Sequence, residues 1–341
     1  MGNSMPKDGT AQGVAKVRHY ESLFPSERQL YHDPYAYAMF PGSIAQQWMG
    51  TNTIDTLYRW MGMAGFSEMI SIRTRWLDDQ ILEAVGVAQQ NQNNNELGSS
   101  RKERAKQLII LGAGYDTRGF RLDLWKENNN NDDDNFVVLE VDQPDVQNKK
   151  LAKLQWLIQK DDKNGPSIAN RIDSKKVQFV PVNFNTDDLQ EKLQSTMEKG
   201  GFLPNQCSVI TLEGVTQYIP KESTADTLKK LKGTIERGST LLVTYVDRKL
   251  FAEEDAVSSS PSSSLSTASR RIMSMAARVG EPWISGWSKG EFKDFLMDCG
   301  YRVLSDTGAE DYNETYLKSI GRSLDDQDLF CMERFVVAEA I

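Results

Sequence analysis

The chain has 341 residues, 39% of them hydrophobic, and a formal net charge of -8. That length supplies one large domain or two small ones, and an acidic chain without a basic block argues against a nucleic-acid partner. Two histidines (His19, His32) disfavour a histidine metal site, three scattered cysteines (Cys207, Cys299, Cys331) read as reduced thiols of a cytoplasmic protein, and no apolar run is long enough for a membrane span.

In chain order, residues 1–13 read as a disordered tail and 14–89 as a helical N-terminal cap. Within the cap, Met69, Ile70, Ile72, Trp76, Leu77, Ile81, Leu82 and Val85 recur at helical spacing. Residues 90–106 form a low-complexity linker, introduced by the run QQNQNNNELGSS. From 107 onward apolar runs alternate with amphipathic ones. Strands are predicted at 107–111, 136–141, 177–181, 207–213, 239–246, 301–305 and 329–338, and helices at 144–160, 186–198, 220–236 and 288–299. This alternation predicts an α/β domain over 107–341, with a mostly parallel Rossmann-like sheet and an antiparallel terminal strand. Polar insertions interrupt it near 127–135 and 257–266. The helical cap has too little core to stand alone and is expected to cover the sheet.

The first strand runs Leu108-Ile109-Ile110-Leu111 into Gly112-Ala113-Gly114, a turn that lets a ligand approach the backbone. The second, Phe136-Val137-Val138-Leu139-Glu140-Val141, ends at Asp142, where dinucleotide-type folds place an acid on ribose hydroxyls. Together they point to a nucleoside-containing cofactor. Thr117 stands where a third glycine would complete the nicotinamide-dinucleotide fingerprint, which weighs against an oxidoreductase. Glu213 closes the fourth strand, at the edge where open α/β sheets bind ligands, and Tyr218 follows on the next turn. Asp116 fits a helix cap or a ligand contact, and Arg118 a carboxylate of the fold.

Six short segments, in this order and spacing, resemble the leucine carboxyl methyltransferase-like group of S-adenosyl-L-methionine-dependent methyltransferases. They are Arg18-x-x-Glu21-Ser22, Asp33-Pro34-Tyr35-Ala36, Arg73-Thr74-Arg75-x-x-Asp78-Asp79, Leu111-Gly112-Ala113-Gly114-x-Asp116-Thr117-Arg118, Glu140-Val141-Asp142-Gln143-Pro144 and Glu213-Gly214-Val215-Thr216-x-Tyr218. A seventh, Gly280-Glu281-Pro282-Trp283-x-x-Gly286, is similar to the bacterial-type, small-molecule O-methyltransferase branch. The resemblance implies that Arg73, helped by Arg18, holds the methionine carboxylate. It implies further that Gly112, Ala113 and Gly114 line the cofactor, that Asp142 takes the ribose hydroxyls, and that Gln143 also binds the cofactor. Asn183 and Phe184 would meet the adenine, Asn183 replacing the family's usual aspartate. Glu213 would stand near the sulfonium or the cofactor's amino group, and Tyr218 would face the acceptor.

Methyl transfer from a sulfonium is an in-line displacement that needs alignment and exclusion of water more than a covalent nucleophile. The acceptor implied is oxygen of a small molecule, a carboxylate being one choice. A helical run at 270–277 leading to Trp283 and Trp287 would offer an apolar wall. His19 is a conceivable base for a hydroxyl acceptor. The alternatives are a methyltransferase acting on the C-terminal leucine of a protein and a cofactor-binding regulatory protein without turnover.

Overall fold

The computed structural model describes residues 9–40, 56, 60, 65–86, 104–125, 136–251, 263–323 and 333–341, with 263–270 in backbone only. The expected insertion at 127–135, most of the linker at 90–106, most of the insertion at 257–266 and Cys331 lie outside these residues.

Seven strands form one sheet in the order β3-β2-β1-β4-β5-β7-β6. They are β1 Gln107–Leu111, β2 Val137–Asp142, β3 Val177–Pro181, β4 Ser208–Leu212, β5 Thr240–Val246, β6 Tyr301–Gly308 and β7 Glu333–Ala340. The first five pair in parallel, and β7 runs antiparallel to both β5 and β6. β1, β4 and β5 are buried along their whole length. Unbroken burial of this kind belongs to strands covered on both faces. Alternate residues feed two cores: Leu108 and Ile110 pack with the N-terminal helices, Ile109 and Leu111 with the helices of the opposite face.

The helices are α1 Gly9–Glu21, α2 Phe66–Val85, α3 Arg118–Arg121, α4 Pro144–Lys160, α5 Gly165–Asp173, α6 Leu189–Gln194, α7 Lys221–Lys232, α8 Ser263–Arg278 and α9 Lys289–Asp298. Local chemistry sets several ends. α4 starts on a proline in its first turn, α2 stops at Gly86 with φ +83°, and α9 opens on a Ser288–Glu291 capping box.

Three readings of the sequence are corrected. α1 begins at Gly9, so residues 9–13, expected within a disordered tail, are helical. α8 begins at Ser263, inside the expected 257–266 insertion. The 14–89 cap is not helical throughout: residues 29–35 contain no helix, and short 3-10 turns sit at Ser26–Arg28 and Ala36–Ala38.

β1 and β4 are neighbours whose chains leave toward opposite ends of the sheet, which makes the gap beyond Leu111 and Leu212 the topological switch point. The antiparallel pairing of β7 sets its first residue, Glu333, opposite Val246 at the carboxyl end of β5, beside that gap.

Candidate functional site

A cavity of about 520 Å³ opens at this switch point. Gly112, Ala113, Gly114, Arg18, Arg73, Glu213 and Tyr218 all line it. Its remaining wall includes Phe66, Met69, Ile272, Val279 and Trp283.

The glycine turn leaves β1 with φ +67° at Gly112 and +45° at Gly114. A Cβ on Gly112 would stand 2.2 Å from Val215 Cγ2, so both the backbone conformation and the lack of a side chain are required there. Asp142 Oδ2 accepts the Gly114 amide at 2.5 Å and Oδ1 accepts the Gln143 amide at 2.6 Å. The carboxylate is thereby fixed against the turn. Burial raises its pKa above the usual carboxylate range, against the pull of those two amides. Asp142 and Gln143 stand behind the turn rather than in the cavity wall.

The cations expected to meet the cofactor belong to a buried charge network. Arg73 gives Nε to Glu213 Oε1 at 2.7 Å and Nη1 to Glu333 Oε2 at 2.6 Å. Arg118 donates to Glu213 Oε2 at 2.6 Å, Asp116 Oδ2 at 2.6 Å and Asp78 Oδ1 at 2.8 Å. Arg121 clamps Asp78 through two nitrogens, and Arg18 gives Nε to Asp33 at 2.9 Å and Nη2 to the Tyr115 carbonyl. Glu333 is itself oriented by Thr244, whose hydroxyl donates to Oε1 at 2.6 Å while accepting the Gly214 amide at 2.9 Å.

Burial acts to raise the pKa of Glu213, but Arg118 and Arg73 outweigh it and hold the carboxyl below its usual value. Asp116 is likewise held low, Arg118 overcoming its burial. Four arginines thus face five carboxylates (Asp33, Asp78, Asp116, Glu213, Glu333), a formal excess of one negative charge.

Other expected residues fall elsewhere. Asn183 and Phe184 do not line the cavity. The Asn183 side chain accepts the Asn185 amide at 3.1 Å, and Phe184 packs on the core of the α7–α9 face. The base role considered for His19 finds no geometry: the ring is buried among Tyr37 and Phe40, away from the cavity wall, and desolvation lowers its pKa. Tyr218 meets Trp283 edge-on at 6.4 Å, and burial raises the phenol's pKa.

Sequence reasoning missed Glu333, Gln217 and the first turns of α1. Ala11 of α1 lies against the glycine turn, 3.4 Å from where a Gly114 Cβ would stand. Thr10 donates its amide to Glu281 at 3.1 Å and its hydroxyl to the same carboxylate. The helix therefore roofs the cavity from the glycine turn to the segment after α8.

A Rossmann-like sheet with a glycine turn and a carboxylate at its switch point defines a nucleoside-cofactor enzyme of the α/β class. The sequence profile of leucine carboxyl methyltransferases matches residues 11–232, and the chain belongs to that family of S-adenosyl-L-methionine-dependent methyltransferases. Its relatives include YktD of Bacillus subtilis, a candidate methyltransferase dependent on the same cofactor. The two are 27% identical over 215 residues, 63% of this chain and 60% of the relative. A second candidate methyltransferase, from Mycolicibacterium smegmatis, is 25% identical over 312 residues, 89% of this chain and 86% of the relative. In fold, a DUF574-family protein from Streptomyces avermitilis is similar across 96% of this chain and 97% of its own, with a TM-score of 0.53 and 11% identity.

Proposed function

We propose that the chain transfers the methyl group of S-adenosyl-L-methionine to oxygen of a small molecule bound in the switch-point cavity. One observation carries this reading: a single cavity joins the glycine turn and the ion-pair network to a wall of uncharged side chains from α2, α8 and the Trp283 segment.

The cofactor suits the residues present. Gly112 and Gly114 give its chain room against the backbone, and Asp142, anchored by two amides, keeps lone pairs for a diol. Arg73 has Nη2 left without a protein partner among the described residues, and it takes the methionine carboxylate. The network's excess negative charge complements an amino-acid nucleoside whose ammonium and sulfonium outnumber its carboxylate. Glu213 supplies the anionic surface that faces those cations.

When bound, S-adenosyl-L-methionine supplies an electrophilic methyl group on a sulfur that leaves neutral. The chain's part is to align the acceptor oxygen and exclude water. With the cofactor bound, Arg73 would hold its carboxylate and the cavity would set the acceptor oxygen in line with the methyl group, sulfur leaving as the neutral thioether; a hydroxyl acceptor would also give up its proton, which would pass to bulk solvent as the site reopens. Tyr218 and Trp283 position the acceptor, and the α1 roof shields it. A cytoplasmic setting is part of the same proposal; no helix among the described residues is long and apolar enough to cross a membrane.

The activity for which the family is named favours a second reading, carboxyl methylation of a C-terminal leucine. Incubation with methyl-labelled cofactor and fractionated cell extract separates the two. Label in the small-molecule fraction is the expected result; label confined to protein overturns it.

A further inference from the structure

The uncharged end of the cavity holds two polar atoms that the fold leaves unused. Gln217 is 4% exposed and lines the cavity, and its Oε1 has no hydrogen-bond partner. The Trp283 indole stands edge-on to Tyr218 and bears on its phenol, yet its Nε1 completes no hydrogen bond of ordinary geometry. The backbone that carries both groups is fixed. The Gln217 backbone carbonyl accepts the Ile284 amide at 2.7 Å and the Ser285 amide at 3.3 Å, and the Ser285 hydroxyl donates to the Ile219 backbone carbonyl at 2.7 Å. The 283–285 segment is thus stitched to the turn that carries Gln217 and Tyr218. Buried polar groups in native proteins are nearly always satisfied, so two orphans in one ligand cavity call for a ligand.

We propose that Gln217 and Trp283 recognise the methyl acceptor, and that this acceptor is an apolar molecule presenting a neutral hydroxyl, an alcohol or phenol. The inference rests on the small-molecule reading above and narrows it. A hydroxyl donates to Gln217 Oε1 and accepts from Trp283 Nε1 at once. An ionised carboxylate only accepts, so it leaves Gln217 Oε1 unanswered. Around these atoms Ile272, Ala276, Val279 and Phe66 offer only hydrocarbon to the acceptor's body. Arg18 is held by Asp33 and the Tyr115 carbonyl, and the free nitrogen of Arg73 goes to the cofactor's carboxylate in the reading above, so a carboxylate acceptor would have to call on Lys16, the other cation of the cavity wall among the described residues.

The test is calorimetric titration of the intact chain, saturated with S-adenosylhomocysteine, using 2-naphthol and 2-naphthoate as matched probes. The naphthol should bind, Gln217→Met should weaken it at least tenfold and Trp283→Phe severalfold, and neither change should alter affinity for the nucleoside. If Gln217→Met does not fold, Trp283→Phe carries the comparison. Preference for the naphthoate, binding of neither probe, or indifference of the naphthol to both substitutions overturns the proposal. In the labelling experiment, methyl entering small carboxylic acids but no hydroxyl compound defeats this inference alone, whereas methyl entering protein alone defeats the reading beneath it.

Discussion

Arg73 is gripped from two sides by carboxylates, and that alters what its removal should do. As a cation in an open cleft, its loss would cost only ligand affinity. Buried between Glu213 and Glu333, it is also structural, because truncating it strips Glu333 of its counter-charge and leaves Glu213 with Arg118 alone. Arg73→Ala should therefore lower unfolding stability by about 3–5 kcal/mol, as for loss of one partner of a buried ion pair. Adding Glu333→Gln should restore part of it. Urea unfolding measures both, and a loss under about 1 kcal/mol would show that the pairs are solvated rather than buried. The sequence marked Arg73 by its motif but gave no sign of Glu333, which lies 260 residues away and arrives only through the β5–β7 register. Asn183, which does not line the cavity, shows the opposite situation. A short polar side chain after a strand satisfies its own turn as readily as it meets a ligand.

Elements bring these charges together. α2 contributes Arg73 and Asp78, the turn after β1 contributes Asp116 and Arg118, and the segment after α1 contributes Asp33. Arg118 and Arg73 hold Glu213 below the usual carboxylate range despite burial, Arg118 does the same for Asp116, and Arg18 for Asp33. A carboxyl whose pKa is depressed in the folded state adds stability above its ordinary pKa and loses it as pH falls through the depressed one. The urea midpoint should accordingly drop steeply below about pH 4. Glu140 acts in the other direction: burial raises it to about 7 despite Lys150, so its contribution declines as pH rises from the ordinary carboxylate value toward 7. Stability should peak between these limbs, and a midpoint flat from pH 3 to 7 would contradict the network's role. α1 explains a miss at this scale. Gly9-Thr10-Ala11-Gln12-Gly13 has weak helix propensity, and its order comes from Ala11 on the glycine turn and Thr10 on Glu281. Neither contact is visible in local sequence.

Across the molecule, the sheet was largely legible because each strand is a short apolar run between turn residues. β1 and β3 match their expected limits, and α4 does so among the helices. The polar insertion after Trp125 did not obscure the pattern. Its flanks are tied by the Trp125 indole, which donates to the Phe136 carbonyl at 2.8 Å, so the length between them has little effect on the strands. Strand order, which creates the switch point, depends on pairings between distant segments and enters only with the structure. The cavity there joins the glycine turn to the ion-pair network. Its most direct test is titration of S-adenosylhomocysteine, with NAD in parallel, into the intact chain and into Asp142→Ala. The expected result is one site per chain for the methionine nucleoside, no response to NAD, and at least a tenfold loss of nucleoside affinity in the variant, about 1.4 kcal/mol. Tight NAD binding, or a variant that binds the nucleoside as well as the parent, would contradict it.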